Sequence, residues 1–311
     1  MSLTQKLTWH FDTTQSEKDY IQAVQVSGIF ENTCAAAYPQ TVTARLIREH
    51  FTDTDCGKRK KALIIGFDGA RADGMLNLVK SRDPKLAVTN EDSRLSAVCA
   101  LKKQGGLYLT YTGGEPGDRA TRQETSTAPG WASILTGVWA REHGVYGMDT
   151  LKEEYPTVLL ELARRGISAC FYGLWPTHFT HTYKGEIETA KRERLPLEHL
   201  HCKDENDLHE QLLHAIDADA DCIFGIYEGP DSCGHGIAFS NHNYFYTKSI
   251  SDCDRCAYEL MERVRARESY EKEDWLILIT SDHGGHKTRH GTQKIQDRMT
   301  FLASSKKIEA L

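Results

Sequence analysis

The stretch Trp275-Leu276-Ile277-Leu278-Ile279-Thr280-Ser281-Asp282-His283-Gly284-Gly285 decides how the chain is read. Its apolar run, free of Gly and Pro, has the pattern of a strand buried on both faces of a parallel sheet. Asp282 and His283 follow at the strand's carboxyl end, where open α/β sheets place their sites. His286 and His290 come soon after, so one loop carries three histidines and an aspartate.

Working outward, the same grammar recurs. Ala62-Leu63-Ile64-Ile65-Gly66-Phe67 is a second buried strand, and Asp68-Gly69 ends it. Asp68 reads either as a turn former or as a carboxylate ligand at a strand end. Asp221 to Tyr227 is a third strand. The loop after it, Glu228-Gly229-Pro230-Asp231-Ser232-Cys233-Gly234-His235, sets a carboxylate and an imidazole four residues apart. Helices alternate with these strands at 39–50, 93–104, 156–165, 205–217 and 244–268. The last has Ile250, Cys253, Ala257, Leu260, Met261 and Val264 as its buried stripe. Further strands are expected at 106–110, 167–172 and 299–303. The stretch 20–29 reads as a short strand or irregular cover, and Arg59-Lys60-Lys61 as a solvated start to the strand at 62. The rhythm predicts an α/β fold, a three-layer α/β/α sandwich around a central, mostly parallel sheet. Residues 1–311 form one catalytic domain in this reading, with 173–206 as an insertion or lid over the site.

Glu124-Thr125-Ser126-Thr127-Ala128-Pro129-Gly130 opens another helix. Thr127 is either a helix cap or a nucleophile. A hydroxyl at a helix N-terminus faces free N–H groups and the positive end of the dipole. A metal beside it would lower its pKa. Trp175, His178, His181 and Lys184, in an aromatic and histidine-bearing segment, are candidate substrate contacts. His143 reads as a packed residue.

Composition limits the alternatives. A net charge of −6 and the lack of basic and aromatic interleaving argue against a nucleic-acid polymer as partner. No run is long enough to span a membrane, and no signal peptide is evident after Met1. The nine cysteines include a single CxxC, Cys253–Cys256, with no second pair to complete a zinc site. Reduced thiols in a cytoplasmic enzyme are the expectation. Nothing in the sequence reads out an oligomeric state.

Asp68, Thr127, Asp231 with His235, and Asp282 with His283 and His290 make a ligand set for two divalent ions. Zinc suits such mixed imidazole and carboxylate donors, with manganese or iron as alternatives. At this point the sequence resembles the alkaline phosphatase superfamily, and within it the type I phosphodiesterase/nucleotide pyrophosphatase branch. The resemblance is carried by Phe67-Asp68-Gly69, Thr127-Ala128-Pro129, Leu135-Thr136-Gly137, His143-Gly144, Asp231-Ser232-Cys233-Gly234-His235 and Ser281-Asp282-His283-Gly284, in family order. It implies that Asp68, Thr127, Asp282 and His283 hold the ion beside the nucleophile. Asp231, His235 and a third histidine, His290 with His286 in reserve, would hold the other. It further implies a small phosphorylated substrate, a phosphodiester or nucleotide-like pyrophosphate, attacked by Thr127 to give a phospho-threonine. A phosphomonoesterase, a phosphonate hydrolase, a phosphoryl mutase and a catalytically weakened homologue are the alternatives on this scaffold. The branch usually has asparagine just after the proline; here that position is Gly130.

Overall fold

The structure, a computed structural model, describes residues 16–53, 57–80 and 95–308. The readings that touch 1–15, 54–56 and 81–94, including the chain start and the first residues of the 93–104 helix, fall outside the described residues.

One eight-stranded sheet organises the chain. Its strands are β1 (Tyr38–Pro39), β2 (Arg59–Phe67), β3 (Gly106–Tyr111), β4 (Ala169–Gly173), β5 (Leu197–His201), β6 (Cys222–Tyr227), β7 (Glu273–Thr280) and β8 (Met299–Ser304), in the order β1-β3-β8-β7-β2-β6-β4-β5. All neighbours are parallel except β8, which runs antiparallel to both β3 and β7. The helices that matter below are α1 (Glu17–Ser27), α2 (Val42–Thr52), α3 (Ala97–Gln104), α4 (Thr127–Thr136), α5 (Val158–Arg164), α6 (Lys184–Glu193), α7 (Glu205–Asp217), α8 (Gly229–Gly236) and α9 (Tyr244–Arg265).

The central strands are apolar on both faces because both faces are covered. Leu63, Ile65 and Phe67 of β2 pack with Leu101 of α3, Leu208 and Leu212 of α7, and Ile250, Leu260 and Met261 of α9. Ala62 and Ile64 point the other way, into Ile47 of α2, Trp131 and Leu135 of α4, and Val158 and Leu162 of α5. Strand side chains alternate between faces, so this split follows from the run itself. Each large apolar side chain buried this way contributes about 1.5–3 kcal/mol. The three-layer sandwich is the result.

Register positions the site. Gly66 is level with Thr280 on one side and Ile226 on the other, and Phe67 is level with Tyr227. The carboxyl ends of β7, β2 and β6 therefore finish together, and their following loops emerge side by side.

Three expectations are corrected. The stretch 20–29 lies mostly in helix α1, capped by Ser16, whose Oγ accepts from the Asp19 N–H at 3.1 Å, and closed by Gly28 at φ 62°. Tyr20 and Val24, four apart, form its buried side, while Val26 is 76% exposed. Lys61 is not solvated: its Nζ donates to the carbonyls of Asp219 and Ala220 at 2.9 Å. Asp231 and His235 lie on helix α8 rather than a loop, with Pro230 in its first turn. The segment 173–206, read as an insertion or lid, contains α6 and then β5, which extends the sheet by pairing parallel to β4.

Candidate metal centre

The ligand-type residues all issue from the aligned strand ends. Asp68 follows β2, Asp231 and His235 sit on α8 just after β6, and Asp282 and His283 follow β7. Thr127 stands at the N-terminus of α4, where the first-turn N–H groups lack helical partners. Two glycines let these segments come close. Gly69 is at φ 67°, and a Cβ there would lie 2.9 Å from Asp231. A Cβ on Gly130 would lie 2.8 Å from the Asp282 Cβ.

Two groups of donors result: Asp68, Asp282 and His283 in one, and Asp231, His283 and His290 in the other, with the ligand atoms of each within 4.8 Å of one another. Thr127 Oγ1 joins the first at 3.3 Å from His283 Nε2. In that group His283 Nε2 is 3.5 Å from Asp68 Oδ1 and 3.4 Å from Asp282 Oδ2. His235 joins the second, its Nε2 lying 3.5 Å from Asp231 Oδ2 and 3.0 Å from His290 Nε2. His290 Nε2 is 3.7 Å from Asp231 Oδ1. His286 is turned away, with its Nδ1 at 2.6 Å from Asp297 Oδ1.

The hydrogen bonds around the imidazoles set their tautomers. Nδ1 of His283 meets the Gly284 carbonyl at 2.7 Å, that of His290 the Thr125 carbonyl at 3.1 Å, and that of His235 the Thr288 carbonyl at 3.0 Å. A carbonyl only accepts, so each Nδ1 carries a proton, and in the neutral imidazole the Nε2 lone pair faces the group. Two such lone pairs 3.0 Å apart, on His235 and His290, cannot bond to each other. The carboxylates show the same need. Asp68 Oδ1, Asp231 Oδ1 and Asp282 Oδ2 are buried without a hydrogen-bond partner, although Asp68 Oδ2 accepts from the Trp131 indole at 2.9 Å and Asp282 Oδ1 from the Gly69 N–H at 3.2 Å. One oxygen of each of these two is thus fixed and the other left facing the group. Unsatisfied buried acceptors are costly, and a cation relieves them all. The donor set fits two divalent ions.

Proton affinities carry the same message. Burial, then the charge of Asp231, pushes Asp68 well above the usual carboxylate range, and burial with Asp68 does the same to Asp282. Asp231 is pushed up to about 7 by burial and then Glu228. Burial and the neighbouring His235 hold His290 down at about 4.

The groups open onto a cavity of about 410 Å³. Of the expected substrate contacts, Trp175 lines it. The other three do not. His178 is fully buried among Phe171, Trp175, Phe179 and Tyr183, and burial lowers its pKa to about 3. The exposed His181 is bonded to Thr180, and the exposed Lys184 faces Glu188. The wall also contains Glu124, Met148 and Glu228, which the sequence reading passed over. Glu228 is the first residue after β6, so the strand-end rule applied strictly would have found it. Trp131, one turn after Thr127, was passed over too. His143 is packed as expected, its Nε2 3.0 Å from Ser133 Oγ.

The sandwich, with two groups of metal-type donors on neighbouring strand ends, places the chain in the alkaline phosphatase superfamily. More narrowly, residues 124–306, over half of the chain, match the type I phosphodiesterase/nucleotide pyrophosphatase family, and the chain belongs to it. Among solved structures the chain is similar to murine ectonucleotide pyrophosphatase/phosphodiesterase 5, at 18% identity over 72% of this chain and 57% of that one, with a TM-score of 0.47. It is similar to a 2-O GAG sulfatase at 11% identity over 82% and 65%, with a TM-score of 0.51. It is similar also to the phosphonate monoester hydrolase of Agrobacterium radiobacter at 12% identity over 80% and 68%, with a TM-score of 0.50. At these identities the likeness is one of fold. The chain spans 57% of the length of the murine protein and 65% of that of the GAG sulfatase. No curated protein sequence matches it. Among the described residues no helix is long and apolar enough to cross a membrane.

Proposed function

We propose that this protein hydrolyses phosphodiesters through a phospho-threonine at Thr127, using two divalent ions. The observation that carries this reading is the position of Thr127 Oγ1: at a helix N-terminus and 3.3 Å from His283 Nε2, in contact with the first donor group. Asp68, Thr127, Asp282 and His283 would hold one ion, and Asp231, His235 and His290 the other. When bound, such ions lower the pKa of a coordinated hydroxyl or water and offset charge on phosphoryl oxygens. Zinc suits three imidazoles with three carboxylates.

Thr127 Oγ1 bonds to phosphorus as the bond to the leaving alcohol breaks, and water later displaces the threonine oxygen. The N–H groups at the start of α4 face the developing charge. The cavity wall favours diesters over monoesters. Among the described residues it contains no Lys or Arg, and it adds the carboxylates of Glu124 and Glu228. With the ions as the site's positive charge, each added carboxylate repels a monoester dianion more strongly than a diester, which brings a single charge. Trp175 and Met148 offer apolar surface to the leaving alcohol.

The test is a panel of aryl phosphate diesters, monoesters, phosphonates and sulfates, assayed with zinc and with manganese. Diesters should turn over fastest. Thr127→Ala should lose at least about 10³-fold in turnover, as removal of a nucleophile does, while its zinc content by mass spectrometry stays at two per chain. A T127A protein that keeps its activity rules the mechanism out.

A further inference from the structure

Arg71 lies three residues beyond Asp68 and is buried. Its Nε and Nη2 each donate to Asp73 at 2.8 Å, and Tyr20 stacks over the guanidinium at 5.2 Å. The remaining nitrogen, Nη1, reaches out of this pair. It donates to the Phe239 carbonyl at 2.6 Å and to the Gly285 carbonyl at 3.3 Å. On the backbone side, the Arg71 N–H donates to the Tyr246 hydroxyl at 2.9 Å, which in turn donates to the Gly69 carbonyl at 2.6 Å. One side chain therefore joins the loop bearing Asp68, the loop bearing Asp282 and His283, and the segment that follows His235.

Phe239 is the consequential partner. Its ring is wedged where a Cβ on either Gly234 or Gly285 would lie only 2.4 Å away. It forms a wall against two imidazoles, with ring centroids 5.3 Å from His235 and 6.0 Å from His290. The Phe239 N–H donates to the Lys287 carbonyl at 2.6 Å. Its backbone is thus pinned at the nitrogen by the loop that leads to His290 and at the oxygen by Arg71.

We infer that Arg71 is a positioning residue for the second donor group, holding the Phe239 wall so that His235 and His290 stay on the second ion. The charge of Arg71 is matched by Asp73, so its effect on that ion is geometric. A lysine cannot replace it, because a single ammonium cannot keep the forked pairing to Asp73 and still reach Phe239. This inference rests on the two-ion reading above.

The experiment is zinc titration by calorimetry into chelated full-length protein, in two backgrounds. Asp282→Asn disables the first group and leaves the second to be read; His290→Ala does the reverse. Adding Arg71→Lys should weaken zinc about tenfold or more in the Asp282→Asn background and leave the His290→Ala background within about twofold. Phe239→Leu keeps the carbonyl but removes the wall, and it should reproduce the same one-sided loss even if the Arg71 variant folds poorly. Equal weakening in both backgrounds, or none in the Asp282→Asn background, overturns the positioning role. If the unmutated protein takes up fewer than two zinc ions, it is the two-ion reading that fails, and that result is visible before any Arg71 variant is made.

Discussion

Gly130 shows how one residue constrains the site. The branch this chain belongs to usually places asparagine there, and here even a methyl group would meet the Asp282 Cβ at 2.8 Å and its carbonyl oxygen at 2.9 Å. Helix α4 thus packs its first turn directly on the loop that carries a ligand, closer than a side chain allows. Gly130→Ala should cost about 1–3 kcal/mol by overpacking and weaken zinc at the first group by shifting Asp282. Differential scanning calorimetry and zinc titration measure the two effects, and a variant unchanged in both would mean that the contact is slack. Gly130→Asn should do the same rather than restore a phosphoryl contact. The candidate donors were legible in the sequence because each aspartate follows, at once or within a turn, a strand with an unbroken apolar run. The choice between His286 and His290 was not, since both lie in one short loop. Only the folded turn, with Lys287 at φ 52°, sends His286 to Asp297 and His290 to the site. His178, His181 and Lys184 lie outside the cavity lining, and a histidine-bearing aromatic segment looks the same in sequence whether its rings face a cavity or each other.

At the scale of elements, the start of α5 depends on a buried acid. The Thr157 N–H donates to Glu186 Oε1 at 2.6 Å and the Thr157 hydroxyl to Oε2 at 2.8 Å, which ties α6 to the cap of α5. Burial raises Glu186 from its ordinary 4.5 to about 7, against the lowering effect of those bonds. The folded state therefore favours the protonated acid. Its contribution is fully present below about pH 4.5 and is lost as pH rises through about 7. Glu186→Gln removes that titration and keeps an acceptor for the Thr157 N–H. The stability of the variant relative to the parent should rise between pH 5 and pH 8 by on the order of 1–3 kcal/mol; a constant difference in melting temperature across that range would refute it. The elements that were legible share one trait: a periodic apolar face that is buried throughout, as in β2, β7 and the stripe of α9. Those that were not lack it. Helix α1 buries only Tyr20 and Val24. Edge strand β5 has no fully buried residue, so its polar sequence carries no strand signal and falls within the insertion or lid read over 173–206. The antiparallel direction of β8 was hidden as well, because burial alternation is the same whichever way a strand runs.

For the whole molecule, the site and the core pull in opposite directions. The sheet is held by apolar packing on both faces, and its central strand ends must nonetheless converge on partnerless carboxylate oxygens and imidazole lone pairs. Without a cation these acceptors face one another in a buried setting, and their mutual repulsion subtracts from what the core supplies. The packing of β7, β2 and β6 does not depend on the ions, so chelated protein should stay folded, with unchanged far-ultraviolet circular dichroism. It should melt lower. An ion that binds only the folded state, present at about 100 times its Kd, adds ~2.7 kcal/mol, and two independent ions add twice that. At about 2–4 °C per kcal/mol for a large domain, chelation should lower Tm by about 10 °C or more, and readdition of zinc should restore it. His290→Ala removes a donor from the second group only, so it should forfeit roughly half of the zinc-dependent rise and keep the rest. Equal melting temperatures with and without chelator would show that the converging acceptors are satisfied by something other than a cation, and the metal centre would fall with them.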